Sequence, residues 1–203
     1  MPTQTFFNLA KDKQDRIMDA VLDELALNAY EHFNISNVIR NTRIARGSFY
    51  QYFKDKDDIY NYFFAYITEK KMAYYGSLFS LDENIPFQKR LKLIYEKGLA
   101  FACDHPKLLR VSEKMVSSNY FLSHPSYQKG LAYAENLFEQ FIIKDIKLKR
   151  LRDDVCPKTA SKVILNSLNH FTTRDLIDKK TPHQQMIKHI DLMIDFFMKG
   201  LEK

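Results

Sequence analysis

The sequence predicts an all-α protein, and three observations lead there. Apolar residues recur with the 3.6-residue period over nearly all of the 203 residues. The chain holds only 5 Gly and 6 Pro, well under ordinary usage, which leaves little material for the turns of a β fold. No run reads as a strand. The periodic segments number about nine helices. Hydrophobic residues make up 45% of the chain, so a packed core can form and wholesale disorder is excluded.

The elements follow in order. Arg16 to Leu27 reads as an amphipathic helix, with Ile17, Ala20, Val21, Glu24, Leu25 and Asn28 at helical spacing. Ser36 to Thr42 forms a short second helix whose apolar side is Val38 and Ile39. A tight break leads to "RGSFYQYF", a third helix ending at Phe53. Asp55 then serves as an N-cap, with Asp57 and Asp58 in the first turn where the helix dipole favours acids, and a long helix runs to about Phe79. In "SLDENIPFQKR", Pro86 can open a helix but cannot sit inside one. Leu91, Ile94, Tyr95, Leu99 and Ala102 keep the helical period after it. Pro106 restarts the chain, and Pro125 opens a long helix to about Leu148. The basic run "KDIKLKRLR" reads as a solvated helix end whose cations complement the dipole. Pro157 and Pro182 start the last two helices, with Thr181 capping the second.

A formal charge of +6 points to an anionic partner, nucleic acid or an anionic membrane surface. Cys103 and Cys156 lie far apart with no Cys-x-x-Cys, as free thiols in a reduced compartment would. The run MPTQTFFNLAKDKQDR lacks an apolar signal-peptide core, and no apolar run approaches the roughly 20 residues of a membrane span, so a cytoplasmic protein is expected. The catalytic motifs of serine hydrolases, zinc peptidases and nucleotide-binding folds are missing, and His105, His124 and His170 are scattered. Neither an enzyme nor a cofactor or metal site is expected.

The informative stretch is Arg46 to Lys56. The second and third helices are joined by only a few residues, which is helix-turn-helix spacing. On the third, Phe49 and Phe53 are four apart and face inward, while Gly47 and Gln51 share the opposite side with Ser48 and Tyr50 on its flanks. Tyr50, and with it Tyr52, is expected to reach outward. That outer face suits DNA. Arg46 can fork onto guanine, Gln51 can pair with adenine, and Ser48 can bond a base edge or a phosphate. Tyr50 and Tyr52 can offer hydroxyls to phosphates, Lys56 can complete a phosphate clamp, and Gly47 lets the backbone approach closely. Between Asn34 and Lys56, Arg40, Arg43, Arg46, Lys54 and Lys56 face the single acid Asp55. The other acids nearby (Asp12, Asp15, Asp19, Asp23 and Glu24) crowd the first helix.

The segment "NISNVIRNTRIARGSFYQYFKDKDDIYNYFF" resembles the signature of tetracycline-repressor-type (TetR family) regulators, in which a short helix and a turn precede [K/R]-G-[S/T]-hydrophobic-Y-x-Y-F-x-x-K. The resemblance implies DNA contacts at Arg46, Gly47, Ser48, Tyr50, Gln51, Tyr52 and Lys56, with Ser36 and Asn37 of the second helix at the backbone or groove edge. Two positions depart from the signature. Arg43 stands where the family has a turn glycine, and is expected to require a non-glycine turn. Ala45 stands where Ser or Thr would cap the helix, forgoing about 1 kcal/mol.

Further expectations follow from the resemblance. Residues 1–55 would form a helix-turn-helix head, and 56–203 a helical effector-binding and dimerisation domain. Two long C-terminal helices per subunit would build a four-helix homodimer interface from Ala160, Ile164, Ser167, Phe171, Met186, Ile190, Met193 and Phe197. A small apolar or aromatic effector would meet Tyr95, Leu99, His105, Met115, Tyr120, Phe121, Phe138 and Asn169. The implied function is a repressor released from a palindromic double-stranded operator by that effector. The alternative is a DNA-bound interaction or chromosome-organising factor holding a protein partner instead.

Overall fold

The computed structural model describes residues 1–177 and 183–202, and the side chains of residues 1–168 and 185–202. Among them are eleven α-helices, two 3-10 turns and no strand. The helices are α1 (Gln4–Phe7), α2 (Lys11–Leu27), α3 (Ile35–Thr42), α4 (Arg46–Tyr52), α5 (Lys56–Tyr75), α6 (Phe87–Asp104), α7 (Pro106–Val116), α8 (Asn119–Ser123), α9 (Pro125–Lys147), α10 (Pro157–Ile177) and α11 (His183–Leu201). The turns are Tyr30–His32 and Gly76–Phe79.

Helix α2 starts at Lys11 rather than Arg16, and α1 and α8 were not expected at all. With 4 and 5 residues, those two are too short to show a period. The expected long helix to Phe79 stops at Tyr75, because Gly76 turns left-handed at φ 53° and the chain tightens to 3-10 geometry. Asp55 does cap α5: its Oδ1 accepts the Asp58 N–H at 2.8 Å. The expectation for Thr181 and Pro182 lies outside the described residues.

Two units divide the chain. The first comprises Met1–Lys71 and His105–Tyr127. It extends well past residue 55 because α7 packs along α2. Lys107 of α7 pairs with Asp23 at 2.7 Å and with Asp19 at 3.5 Å. The acids of the first helix thus have a cation of their own. Ile17, Val21, Leu25, Val38 and Val111 are all buried in this unit. Phe6 of α1 packs on Phe53 at 5.2 Å, and Phe53 on Phe49 at 5.5 Å. Thr3 fastens the α1 end to the end of α4, its N–H donating to Tyr52 O at 3.0 Å and its hydroxyl to Gln51 O at 2.5 Å.

The second unit comprises Met72–Asp104 and Gln128–Lys203. Phe87, Leu91, Phe138, Ile142, Ile190 and Ile194 bring α6, α9 and α11 into one apolar core. A polar knot pins the 78–86 connection to it. Arg90, buried to 1% exposure, donates to the carbonyls of Leu78, Ser80 (3.2 Å) and Glu83 (2.9 Å) and lies 4.1 Å from the Phe141 ring centroid. Asp145 accepts the Phe87 N–H at 2.7 Å and Arg150 at 3.0 Å. Lys144 reaches Leu81 O at 2.6 Å, and Arg150 reaches Asn84 at 2.8 Å. Lys144 and Arg150 of "KDIKLKRLR" therefore close a loop rather than only decorating a helix end.

Candidate nucleic-acid interface

Local chemistry sets the helix-turn-helix. Asn34 caps α3, its side chain accepting the Ser36 N–H at 2.9 Å. At the other end, Arg43 itself takes the left-handed conformation, φ 55° and ψ 34°. The expectation of a non-glycine turn is overturned: the backbone keeps the geometry a glycine would use, with Arg43 bearing the strain. That conformation costs an L side chain about 1–2 kcal/mol, offset in part by the entropy glycine loses on folding. Arg43→Gly should therefore raise unfolding stability by about 0.5–1 kcal/mol in urea. A variant equal to or weaker than the parent would show the turn to be unstrained. Ala45, the residue before α4, makes no side-chain cap.

The α4 side chains divide by face. Phe49 and Phe53 are fully buried, as their spacing implied. Tyr52 is a correction: at 3% exposure its ring lies inward, 6.3 Å from Phe6 with Lys13 over it at 5.8 Å. The unexpected α1 covers the face that would otherwise have exposed it. Arg46, Gly47, Tyr50 and Gln51 are exposed, and Ser48 is half-buried. A Cβ on Gly47 would meet no atom within 4 Å, and its φ is not positive. Neither packing nor backbone conformation requires this glycine.

Arg46 draws the two helices together. Its guanidinium donates to Ser36 Oγ of α3 and to the Tyr50 hydroxyl, each at 3.5 Å. Asn37, expected at the groove edge, instead donates its amide to both Glu24 oxygens at 3.2 Å and accepts from Arg40 at 3.1 Å. Glu24 is the reason. At 4% exposure it also accepts the Asn34 N–H at 3.1 Å and the Asn28 amide at 3.0 Å, so it joins α2 to α3. Its place in the apolar stripe of α2 is the sequence signal of that role. Lys56 opens α5 half-buried, its Nζ 4.3 Å from the Tyr30 ring centroid.

The candidate effector residues do not gather in one unit. Tyr95, Leu99 and Phe138 are buried in the second, while His105, Met115, Tyr120 and Phe121 belong to the first. Tyr120 stacks on Tyr30 at 3.8 Å, and Phe121 meets Phe64 edge-on at 5.2 Å. Aromatic periodicity on α6 to α8 does not reveal that the chain leaves one unit for the other at Asp104. The side chain of Asn169 lies outside the described residues.

The residues expected to build the dimer stripe divide. Ile164, Met186 and Ile190 are buried in the subunit's own core. Ala160, Ser167, Met193 and Phe197 are half-buried, and the side chain of Phe171 lies outside the described residues. Exposed instead are Val163 (52%), Leu192 (58%) and Phe196 (74%). Both helices are apolar on more than one side, so period alone does not choose which stripe faces inward.

Comparison with known proteins agrees with this architecture. A TetR family transcriptional regulator from Chloroflexus aurantiacus J-10-FL superposes with a TM-score of 0.79 at 28% identity, covering 100% of this chain and 99% of that one. The transcriptional regulator FadR of Bacillus subtilis, solved in complex with stearoyl-CoA, gives 0.71 at 16% identity over 92% and 98%. A SmeT–triclosan complex gives 0.73 at 14% identity over 95% and 93%. In sequence, the fatty acid metabolism regulator protein of Bacillus subtilis (strain 168) is 22% identical over 166 residues, 80% of this chain and 83% of the relative. No family model matches the chain. Among the described residues, no helix is long and apolar enough to cross a membrane.

Proposed function

We propose that this chain, by fold and motif a transcriptional regulator of the TetR type, represses by binding a palindromic operator as a homodimer and lets go when a small apolar or aromatic effector binds. The observation that carries the DNA reading is the convergence of Ser36, Arg46 and Tyr50 beside an exposed Gln51 and an otherwise unexplained Gly47. Arg46 and Gln51 read base edges in the major groove. Ser36, Ser48, Tyr50 and Lys56 hold phosphates and set the register. Two heads in one dimer meet successive grooves about 34–36 Å apart. The effector favours a state with a different head spacing, acting through α5, and it shifts the equilibrium only by its difference in affinity for the two states. That fold relatives carry stearoyl-CoA and triclosan supports an apolar ligand class. Release assays would start with long-chain acyl-CoA thioesters and halogenated phenols.

A pair of substitutions tests the division of roles. Arg46→Ala should cost about 1–3 kcal/mol on the preferred duplex and relax base preference at one position of each half-site. Lys56→Ala should weaken every duplex alike and lower the salt slope by about one per head. Equal loss of preference in both variants would contradict the assignment of Arg46 to base reading.

A further inference from the structure

Lys56 does not stand alone at the start of α5. Its ammonium lies over Tyr30, which belongs to the 3-10 turn between α2 and α3. The Tyr30 hydroxyl donates to Asp57, the next residue of α5, and its ring stacks on Tyr120 of α8, with centroids 3.8 Å apart and planes 15° apart. Nearby, the Ser118 hydroxyl, just before α8, donates to Glu31 at 2.8 Å. The 3-10 turn is thus held to α8 by a ring stack and a charge-assisted hydrogen bond, all inside the first unit. Burial works to raise the Asp57 carboxyl, but hydrogen bonds from Tyr30 and Tyr120, with the His124 and Lys56 charges, bring it below its ordinary value. Asp57 is therefore an ionised anchor for Tyr30 at neutral pH.

A lysine has four rotatable bonds, and a phosphate contact from a free one is diluted by that freedom. A cation held over an aromatic face loses much of it beforehand. The platform is itself held: removing Tyr120 would take away its ring stack and leave Tyr30 the bond to Asp57, the edge contact with Tyr60 at 4.9 Å and the Ser118–Glu31 bond of its turn. We infer that Tyr120 of α8, acting through Tyr30, positions Lys56 for the DNA backbone, so that a displacement of α8 loosens the phosphate grip without moving the reading helix. Tyr120 is a positioning residue here, and the inference rests on the reading of Lys56 as a phosphate contact. It adds a second route of control, one that changes affinity for all sequences together and leaves base preference intact.

The test is a double-mutant cycle on DNA affinity across a range of salt, using the full chain and its preferred duplex. Tyr120→Ala should weaken binding about three- to tenfold with unchanged base preference and a shallower salt slope. Tyr120→Phe, which keeps the stack, should restore the parent value within about twofold. With Lys56→Ala already present, Tyr120→Ala should cost nothing further. Tyr120→Leu fills the same space without an aromatic face and should behave like the alanine variant, which carries the test if Tyr120→Ala unfolds. Parent-like or tighter binding by Tyr120→Leu, or losses that multiply in the double variant, would overturn the inference while leaving the Lys56 assignment in place. A Lys56→Ala variant with unchanged affinity and slope would remove the assignment and the inference with it.

Discussion

In the homodimer proposed above, Phe196→Asp should give monomers and abolish tight operator binding. Phe196 is 74% exposed on α11, and Leu192, one turn earlier, is 58% exposed. With Val163 of α10 at 52%, these are large apolar side chains that the subunit's own core does not use. Burying one such side chain contributes about 1.5–3 kcal/mol, and in a two-fold interface each residue counts twice. Replacing Phe196 by a carboxylate on both subunits should raise the dimer dissociation constant by roughly 100- to 10,000-fold. Sedimentation would show the change in mass, and operator affinity would fall because one head grips too few phosphates. Met186→Ala, in the subunit's own core, should instead lower unfolding stability by about 2–5 kcal/mol. A Phe196→Asp variant that stays dimeric would place the interface elsewhere.

The second large effect is expected at Arg90. Arg90→Ala removes the donor to three carbonyls of the 78–86 connection; Lys144 still reaches Glu83 O at 3.1 Å, while those of Leu78 and Ser80 lose theirs. Leaving two carbonyls unsatisfied at about 1–3 kcal/mol each costs about 2–6 kcal/mol, and for a chain of this size that corresponds to a fall of roughly 4–24 °C in Tm. Arg90→Lys keeps the charge but not the fork, so it should recover only part of the loss. Loss of less than about 1 kcal/mol in Arg90→Ala, measured by urea unfolding, would mean that the connection is held by Lys144 and Arg150 alone.

What the sequence could express was period and punctuation. The α3–turn–α4 spacing, the inward Phe49 and Phe53, and the breaks at Pro86, Pro106, Pro125 and Pro157 were legible because each is local. Tyr52 was misjudged because its environment comes from α1, a helix of 4 residues with no periodic signal. The bond from Asn37 to Glu24 was not legible because Glu24 lies on another helix, in a string of acids. Arg43 shows the reverse: the residue type argued against a left-handed turn, yet helix-to-helix geometry imposed one. The effector and dimer stripes met the same limit. Helices that are apolar on several sides do not state which side meets which neighbour, and that choice belongs to the packed unit. Arg90 gave no signal in the pattern, since its partners are backbone carbonyls and any sequence supplies those.

Whether α4 reads sequence is decided by selection of bound duplexes from a random DNA pool at near-physiological salt, with sequencing of the survivors. The expected result is one palindromic site whose half-sites lie about one helical turn or a multiple of it apart, with a guanine at the position that Arg46→Ala relaxes. Survivors that share no motif, with affinity that simply collapses as salt rises, would contradict it. The outer face of α4 would then hold phosphates without reading bases.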